Sequence, residues 1–282
     1  MNRVGALCAA FGLIAAINPS AKAGMVGVDN LTKNLLSIDE TTGAATVLST
    51  LNITAGISGM TLDPTTQTLY GFDTGNLDVI SINALTGDVT VVADLSFEMN
   101  TLAFDQSTNT LYGVDKALIQ KLYTIDTGAG TATVGPTIDT ENGGIHGMTF
   151  DASGNLFATN TLDDELLEIN TSDGTTTMLV DLAPDFDRMF SLAYDQSTGS
   201  LFGVNSPAGP DELVRFDPTG STFTTDGVLV GTISGSTDIV SLADAPSAAP
   251  VPEPSSIALL GMGGLGMCGY RWRTKRQTQV AE

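Results

Sequence analysis

The chain of 282 residues is poor in the residue types that build most recognisable sites: two cysteines, one histidine and one tryptophan. Two cysteines exclude a disulfide scaffold. A single histidine excludes a multi-histidine metal centre. Basic side chains are scarce, 11 against 32 acids, for a net charge of −21. Nucleic acid is therefore excluded as a partner, because phosphate recognition needs clustered Lys and Arg. Sustained helical periodicity with its caps is missing from the middle of the chain. Against these absences, 42% hydrophobic and 15% charged residues are enough to bury a core.

The two ends read as targeting segments. Arg3 precedes Val4 to Ile17, a run of 14 apolar or glycine residues. Asn18 and Pro19 break the run, and Ala21-Lys22-Ala23 offers an A-x-A cleavage site. Residues 1–23 are thus a signal peptide for signal peptidase, and the mature chain begins at Gly24. At the other end, residues 246–256 form a linker holding Pro252-Glu253-Pro254. Ile257 to Tyr270 adds 14 uncharged residues, and 271–282 is a basic tail with Arg271, Arg273, Lys275 and Arg276. As a helix the run would cover about 21 Å, short of a bilayer core of about 30 Å. Positive charge after it places the tail in the cytoplasm.

This order of motif, short span and basic end resembles the PEP-CTERM sorting signal of Gram-negative bacteria. The resemblance implies export, transient anchoring in the inner membrane and cleavage near Pro252-Glu253-Pro254 by an exosortase. It also implies association with biofilm-forming producers of exopolysaccharide.

Between the ends, one phrase recurs: Met25 to Asp29, Leu69 to Asp73, Leu111 to Asp115, Leu156 to Asn160 and Leu201 to Asn205, at intervals of 42 to 45 residues. Three more short phrases rich in β-branched or aromatic residues accompany each copy. The last of them comprises Met60 to Asp63, Leu102 to Asp105, Met148 to Asp151, Leu192 to Asp195 and Ser241 to Asp244. Four strands in each of five repeats predict an all-β, five-bladed β-propeller over residues 24–245. The region opens on a second strand and ends on a first one, so Ser241 to Asp244 should complete the sheet begun at Val26. A linear solenoid is the alternative, and it would need capping ends that are not visible.

Asp- and Asn-led turns such as Asp63-Pro64-Thr65-Thr66 and Asp39-Glu40-Thr41-Thr42-Gly43 suit tight hairpins. They lack the alternating acids of calcium loops. No cofactor is expected and the acidic charge first serves solubility, with calcium as the alternative. Residues 24–250 carry 5 basic and 30 acidic side chains, about −25, a field that attracts divalent cations.

Regular hairpins lie on one face of such a propeller and variable loops on the other, where function is expected. His146 is the sharpest residue there, predicted to sit in a loop just before its innermost strand. The equivalent positions are Ser58, Asn100, Phe190 and Val240. An enzyme would draw on His146, Glu141, Glu98 and Asp187, but no nucleophile can be paired with them from spacing. Tyr70, Tyr112, Tyr123 and Tyr194 fall at positions expected to be buried, which weakens a glycan-processing enzyme. The sequence favours a non-catalytic binding or structural module of the cell envelope or extracellular matrix, with exopolysaccharide or envelope proteins as partners. A hydrolase or lyase acting at the channel mouth is the alternative.

Overall fold

Burial falls from axis to rim within every repeat, and that gradient accounts for the repeated phrase. The computed structural model describes residues 24–140, 143–186, 188–219, 222–223, 227–236 and 238–246. The chain divides into two compact units, Met1–Pro246 and Ser247–Glu282, the second lying outside the described residues. So do the predicted signal peptide with Ala21 and Ala23, and the segment with Pro252, Glu253 and Pro254.

In chain order the strands are β1 Met25–Asp29, β2 Asn34–Ile38, β3 Ala45–Thr50, β4 Ile57–Asp63, β5 Thr68–Asp73, β6 Asp78–Ile82 and β7 Val89–Asp94. There follow β8 Met99–Asp105, β9 Thr110–Asp115, β10 Lys121–Asp126, β11 Thr131–Thr137, β12 Ile145–Phe150, β13 Leu156–Asn160, β14 Glu165–Ile169 and β15 Thr176–Asp181. The last are β16 Met189–Tyr194, β17 Leu201–Asn205, β18 Glu212–Phe216, the short pair β19 Pro218–Thr219 and β20 Thr222–Phe223, then β21 Val228–Thr232 and β22 Ile239–Asp244. They form five four-stranded sheets: β22-β1-β2-β3, β4 to β7, β8 to β11, β12 to β15, and β16-β17-β18-β21. Each innermost strand packs on the next, and β22 packs on β4, closing the ring. The protein is a five-bladed propeller, and its first blade takes its innermost strand from the far end of the domain, as the sequence predicts.

The second strands are buried on both sides, because a blade lies against each face: β1, β13 and β17 are buried at every position. The fourth strands face solvent, and Val47, Val91, Val134 and Met178 are exposed on them. The glycine of the phrase has a packing reason. A Cβ on Gly113 would lie 2.5 Å from Met99 Sδ, the side chain that opens the adjoining innermost strand. Ile57 and Ile239 would lie 3.2 and 3.1 Å from a Cβ on Gly71 and Gly27, a less severe but still tight approach.

The turns use the chemistry the sequence suggests. Asp63 Oδ1 accepts the amides of Thr65 and Thr66 at 2.8 and 3.2 Å. The hydroxyl and amide of Thr41, then the Thr42 hydroxyl, hold the Asp39 carboxyl down at about 2. At Asp105 and Asp195 burial pushes the carboxyl up, but hydrogen bonds from Thr108 and Ser107, and from Thr198 and Ser197, outweigh it and the net shift is down.

Two features differ from the sequence reading. The innermost strands begin earlier, at Ile57, Met99, Ile145, Met189 and Ile239. Each carries a register shift after its first residue or two. A bulge breaks the two-residue alternation, so the first turn of each strand reads as loop. Also, Asp244 does not align with Asp63. Asp244 pairs with Met25, as Leu62 pairs with Leu69 and Tyr194 with Leu201. It therefore occupies the place of Leu62, Phe104, Phe150 and Tyr194.

Neighbouring innermost strands approach closely at the axis. A Cβ on Gly59 would sit 2.5 Å from Thr101 Cα and 2.6 Å from Leu102 N on the next blade. Gly59→Ala should therefore cost about 2 kcal/mol in denaturant unfolding, the usual scale of overpacking. Gly209→Ala, where an added Cβ meets nothing within 4 Å, should stay within about 0.5 kcal/mol.

Candidate functional site

The bulges aim one side chain per blade at the channel mouth on the variable face. The five residues at the second position of their strands are Ser58, Asn100, His146, Phe190 and Val240. Bulges favour barrel rims and functional sites because they re-aim a side chain. The flanking positions repeat a single chemistry: Ile or Met before, small residues after. The bulge position alone presents a hydroxyl, an amide, an imidazole, a phenyl ring and an aliphatic group around one ring. His146 thus lies inside β12, not in a loop.

Two of these groups bridge blades. Ser58 Oγ donates to the Met99 carbonyl at 2.6 Å, and Asn100 Nδ2 to the Ile145 carbonyl at 3.0 Å. His146 turns back on its own blade instead. Its Nδ1 lies 3.0 Å from the Gly144 carbonyl and 2.8 Å from Thr161 Oγ1. A carbonyl only accepts, so we assign the proton to Nδ1, which leaves Nε2 an acceptor. The ring stands edge-on to Phe190 at 5.5 Å between centroids. The Arg188 guanidinium lies 5.5 Å from the Phe190 centroid. Arg188, Phe190 and His146 form a row of cation, aromatic ring and imidazole.

Of the other sequence candidates, Glu98 is exposed and paired with Lys116 at 2.9 Å. Glu141 and Asp187 lie outside the described residues. Among the described residues no carboxylate is hydrogen-bonded to the His146 ring, and none of their groups of His, Cys, Asp and Glu suits a metal ion.

Sequence reasoning missed the clasps beneath the rim. Asn30 bonds both the amide and the carbonyl of Ile57 on the next blade, at 2.8 and 3.2 Å. Gln120 does the same to Ile145, at 2.9 and 3.1 Å. Asp211 is fully buried, takes the Ile239 amide at 2.7 Å and the Ser206 hydroxyl at 2.7 Å. Burial pushes its carboxyl up, against the hydrogen bonds from Ile239 and Ser206. Burial, then the charges of Asp211 and Asp29, push Asp238 up as well. The signal in the sequence was weak: Gln120 and Asp211 are polar residues just before the third strand of their blades, whereas Asn30 directly follows a second strand.

The tyrosines also differ from expectation. Tyr70, Tyr112, Tyr123 and Tyr194 are half-buried rather than buried. Tyr70 and Phe104 are stacked at 6.4 Å between centroids, and Tyr112 meets Phe150 at 5.2 Å, each pair spanning the seam between two blades.

Comparison with solved structures shows the fold. One chain of a nidogen/laminin complex matches at TM-score 0.54 with 13% identity, covering 81% of this chain and 100% of that one. A gluconolactonase from Xanthomonas campestris matches at 0.48 with 13% identity, covering 74% of each chain. Virginiamycin B lyase from Staphylococcus aureus matches at 0.45 with 17% identity, over 75% of this chain and 70% of that one. No curated protein matches the sequence. Residues 250–276 match the PEP-CTERM protein-sorting motif, which indicates export, sorting to the cell envelope or surface and processing by exosortase. A repeat of unknown function, DUF6923, matches residues 93–237, just over half of the 282 residues, and the chain belongs to that family.

Proposed function

We propose that the protein is a non-catalytic binding module of the cell envelope or extracellular matrix, engaging an envelope protein or exopolysaccharide through the bulge rim. One observation carries this reading: at the bulge position the five blades present five different side chains, between flanking residues of repeated chemistry. Recognition needs such diversity on a rigid frame, and the bulges supply both. The hydrogen bonds of His146 support positioning rather than proton transfer, since Nδ1 is held by a carbonyl and a threonine.

Processing belongs to the same reading. Signal peptidase cleaves after Ala21-Lys22-Ala23. Ile257 to Tyr270 then holds the chain in the inner membrane of a Gram-negative-type cell until exosortase cuts near Pro252-Glu253-Pro254. Mass spectrometry of the envelope form should find Gly24 as its first residue and no peptide from Arg271 to Glu282. A surface form that keeps that tail overturns the processing.

The rim is tested by sedimenting purified residues 24–246 with envelopes of the producing bacterium. The wild type should co-sediment. A double variant, His146→Ala with Phe190→Ala, should bind at least tenfold more weakly, since truncating an anchoring aromatic at an interface costs about 2 kcal/mol or more. Equal sedimentation of the two proteins overturns the reading.

A further inference from the structure

The opposite, hairpin face holds a groove between the second and third blades that neither the fold nor the rim uses. Its cavity volume is about 490 Å³, within the range of roughly 300–1,000 Å³ typical of small-ligand sites. Tyr70, Thr66 and Asp63 line it from the second blade, and Asn109, Thr124 and Asp126 from the third. We propose that this groove binds a neutral oligosaccharide.

The lining has the two elements a polyhydroxylated ring needs: an aromatic surface for its apolar C–H face and planar polar groups for its hydroxyls. Tyr70 supplies the first. Its ring is half-buried, lies within 19° of parallel to Phe104, and is thereby fixed in place. The hydroxyl is bonded to Thr127 across the seam, and burial pushes its pKa up, so the phenol stays neutral. A rigid aromatic body with a polar tip suits a surface wet on one side.

The third blade supplies the second element. Asn109 sits at φ 56° at a hairpin tip and is exposed. Among the described residues its carboxamide has no partner, so both its oxygen and its amine are free for a ligand. Asp126 Oδ1 takes the amides of Gly128 and Ala129, each at 2.9 Å, which leaves Oδ2 to accept from a hydroxyl. Thr124 and Thr133 face each other across β10 and β11, and neither hydroxyl is bonded within the described residues.

Charge selects the class of glycan. The charged side chains of the lining are Asp63 and Asp126, with no cation among them. A uronate or a phosphorylated sugar would meet like charge without compensation. A wholly apolar ligand would strip water from carboxylates and hydroxyls and return nothing. A neutral sugar chain satisfies both constraints.

Affinity electrophoresis and calorimetry of purified residues 24–246 test the proposal, with neutral glucans, xylans and galactomannans as probes and polygalacturonate as the anionic control. At least one neutral glycan should bind. Tyr70→Ala and Asn109→Gly should each weaken it at least tenfold. Asn109→Gly keeps the left-handed turn and should leave Tm unchanged, so it carries the test even where Tyr70→Ala loosens the seam. Failure of every neutral glycan to bind, preference for polygalacturonate, or full affinity in both variants overturns the proposal. The His146/Phe190 double variant should keep glycan binding, so failure at the rim and failure at the groove are read separately.

Discussion

An Asp244→Asn variant should melt roughly 6–12 °C above the wild type near pH 7.5, an unusual gain for one surface-adjacent substitution. Asp244 ends the innermost strand of the first blade, in the ring position that Leu62, Phe104, Phe150 and Tyr194 fill elsewhere. It borders an axial cavity of about 20 Å³, room for a single water. Oδ2 accepts the Gln196 amide at a long 3.3 Å, whereas Oδ1 is buried with no hydrogen-bond partner among the described residues. Burial first, opposed by the Gln196 amide, and then the charge of Asp195 move its pKa from 3.8 to about 6. Two pKa units correspond to about 3 kcal/mol between the protonation states.

The direction follows from linkage. The folded state holds the proton more tightly than the unfolded chain, so folding is favoured while both are protonated, below about pH 4. That advantage is lost as pH rises through 6, where the folded carboxyl must ionise in its buried place. Asparagine imitates the protonated acid at every pH. Stability of wild type and variant should therefore nearly coincide at about pH 4 and separate by about 3 kcal/mol above pH 7. The carboxyls of Asp211 and Asp238, raised in the fold, and of Asp39 and Asp105, lowered in it, titrate in both proteins and cancel in the difference. Asp195 faces Asp244 directly and, if anything, gains from losing that charge. Denaturant unfolding across this range checks the result, and parallel curves for the two proteins would remove Asp244 as their source.

The architecture was legible because the repeated phrase encodes a physical situation, a strand buried on both sides with a glycine beneath the first side chain of its neighbour. Five copies of that strand, four with the glycine and one with Ala158 in its place, and the odd frame of the ends sufficed for five blades and for closure by β22. The bulges were not legible. They shift the alternation by one residue, so the opening residues of β4, β8, β12, β16 and β22 resembled loop, and His146 was placed outside its strand. A separate one-place slip, invited by the Asp that closes both phrases, aligned Asp244 with Asp63 and hid the misfit, although β4 and β22 carry the same bulge. Asp211 and Tyr70 were illegible for another reason: what matters about each is a partner on the next blade, Ile239 for one and Phe104 for the other. Sequence patterns report the face of a strand, not what a neighbouring blade brings to it.

Closure by β22 sets the other large effect. A chain ending before Asp238 should lose cooperative unfolding altogether. β22 contributes Ile239 and Leu242 to a core shared with Met25, Phe202 and Val204, and Ala243 to the adjoining one with Val26 and Met60, each of the three no more than 2% exposed. Burying an Ile or Leu is worth about 1.5–3 kcal/mol, so these side chains alone supply about 5 kcal/mol. Their loss also unpairs β1 along its inner edge and removes the strand on which β4 and β16 both pack. Domains of this kind hold only about 5–15 kcal/mol in total, so the deletion consumes much or all of the margin. The deficit is not local, since without β22 the ring has two open ends and each exposes the flank of a hydrophobic blade. Circular dichroism melts should show a broad, low-amplitude change for the truncated chain and a single sharp one for residues 24–246. Adding a peptide of residues 238–246 in trans should restore a sharp transition at high peptide concentration, because it supplies the same edge strand at the cost of association. A truncated chain that melts as sharply as the intact propeller would mean that four complete blades hold together without the closing strand.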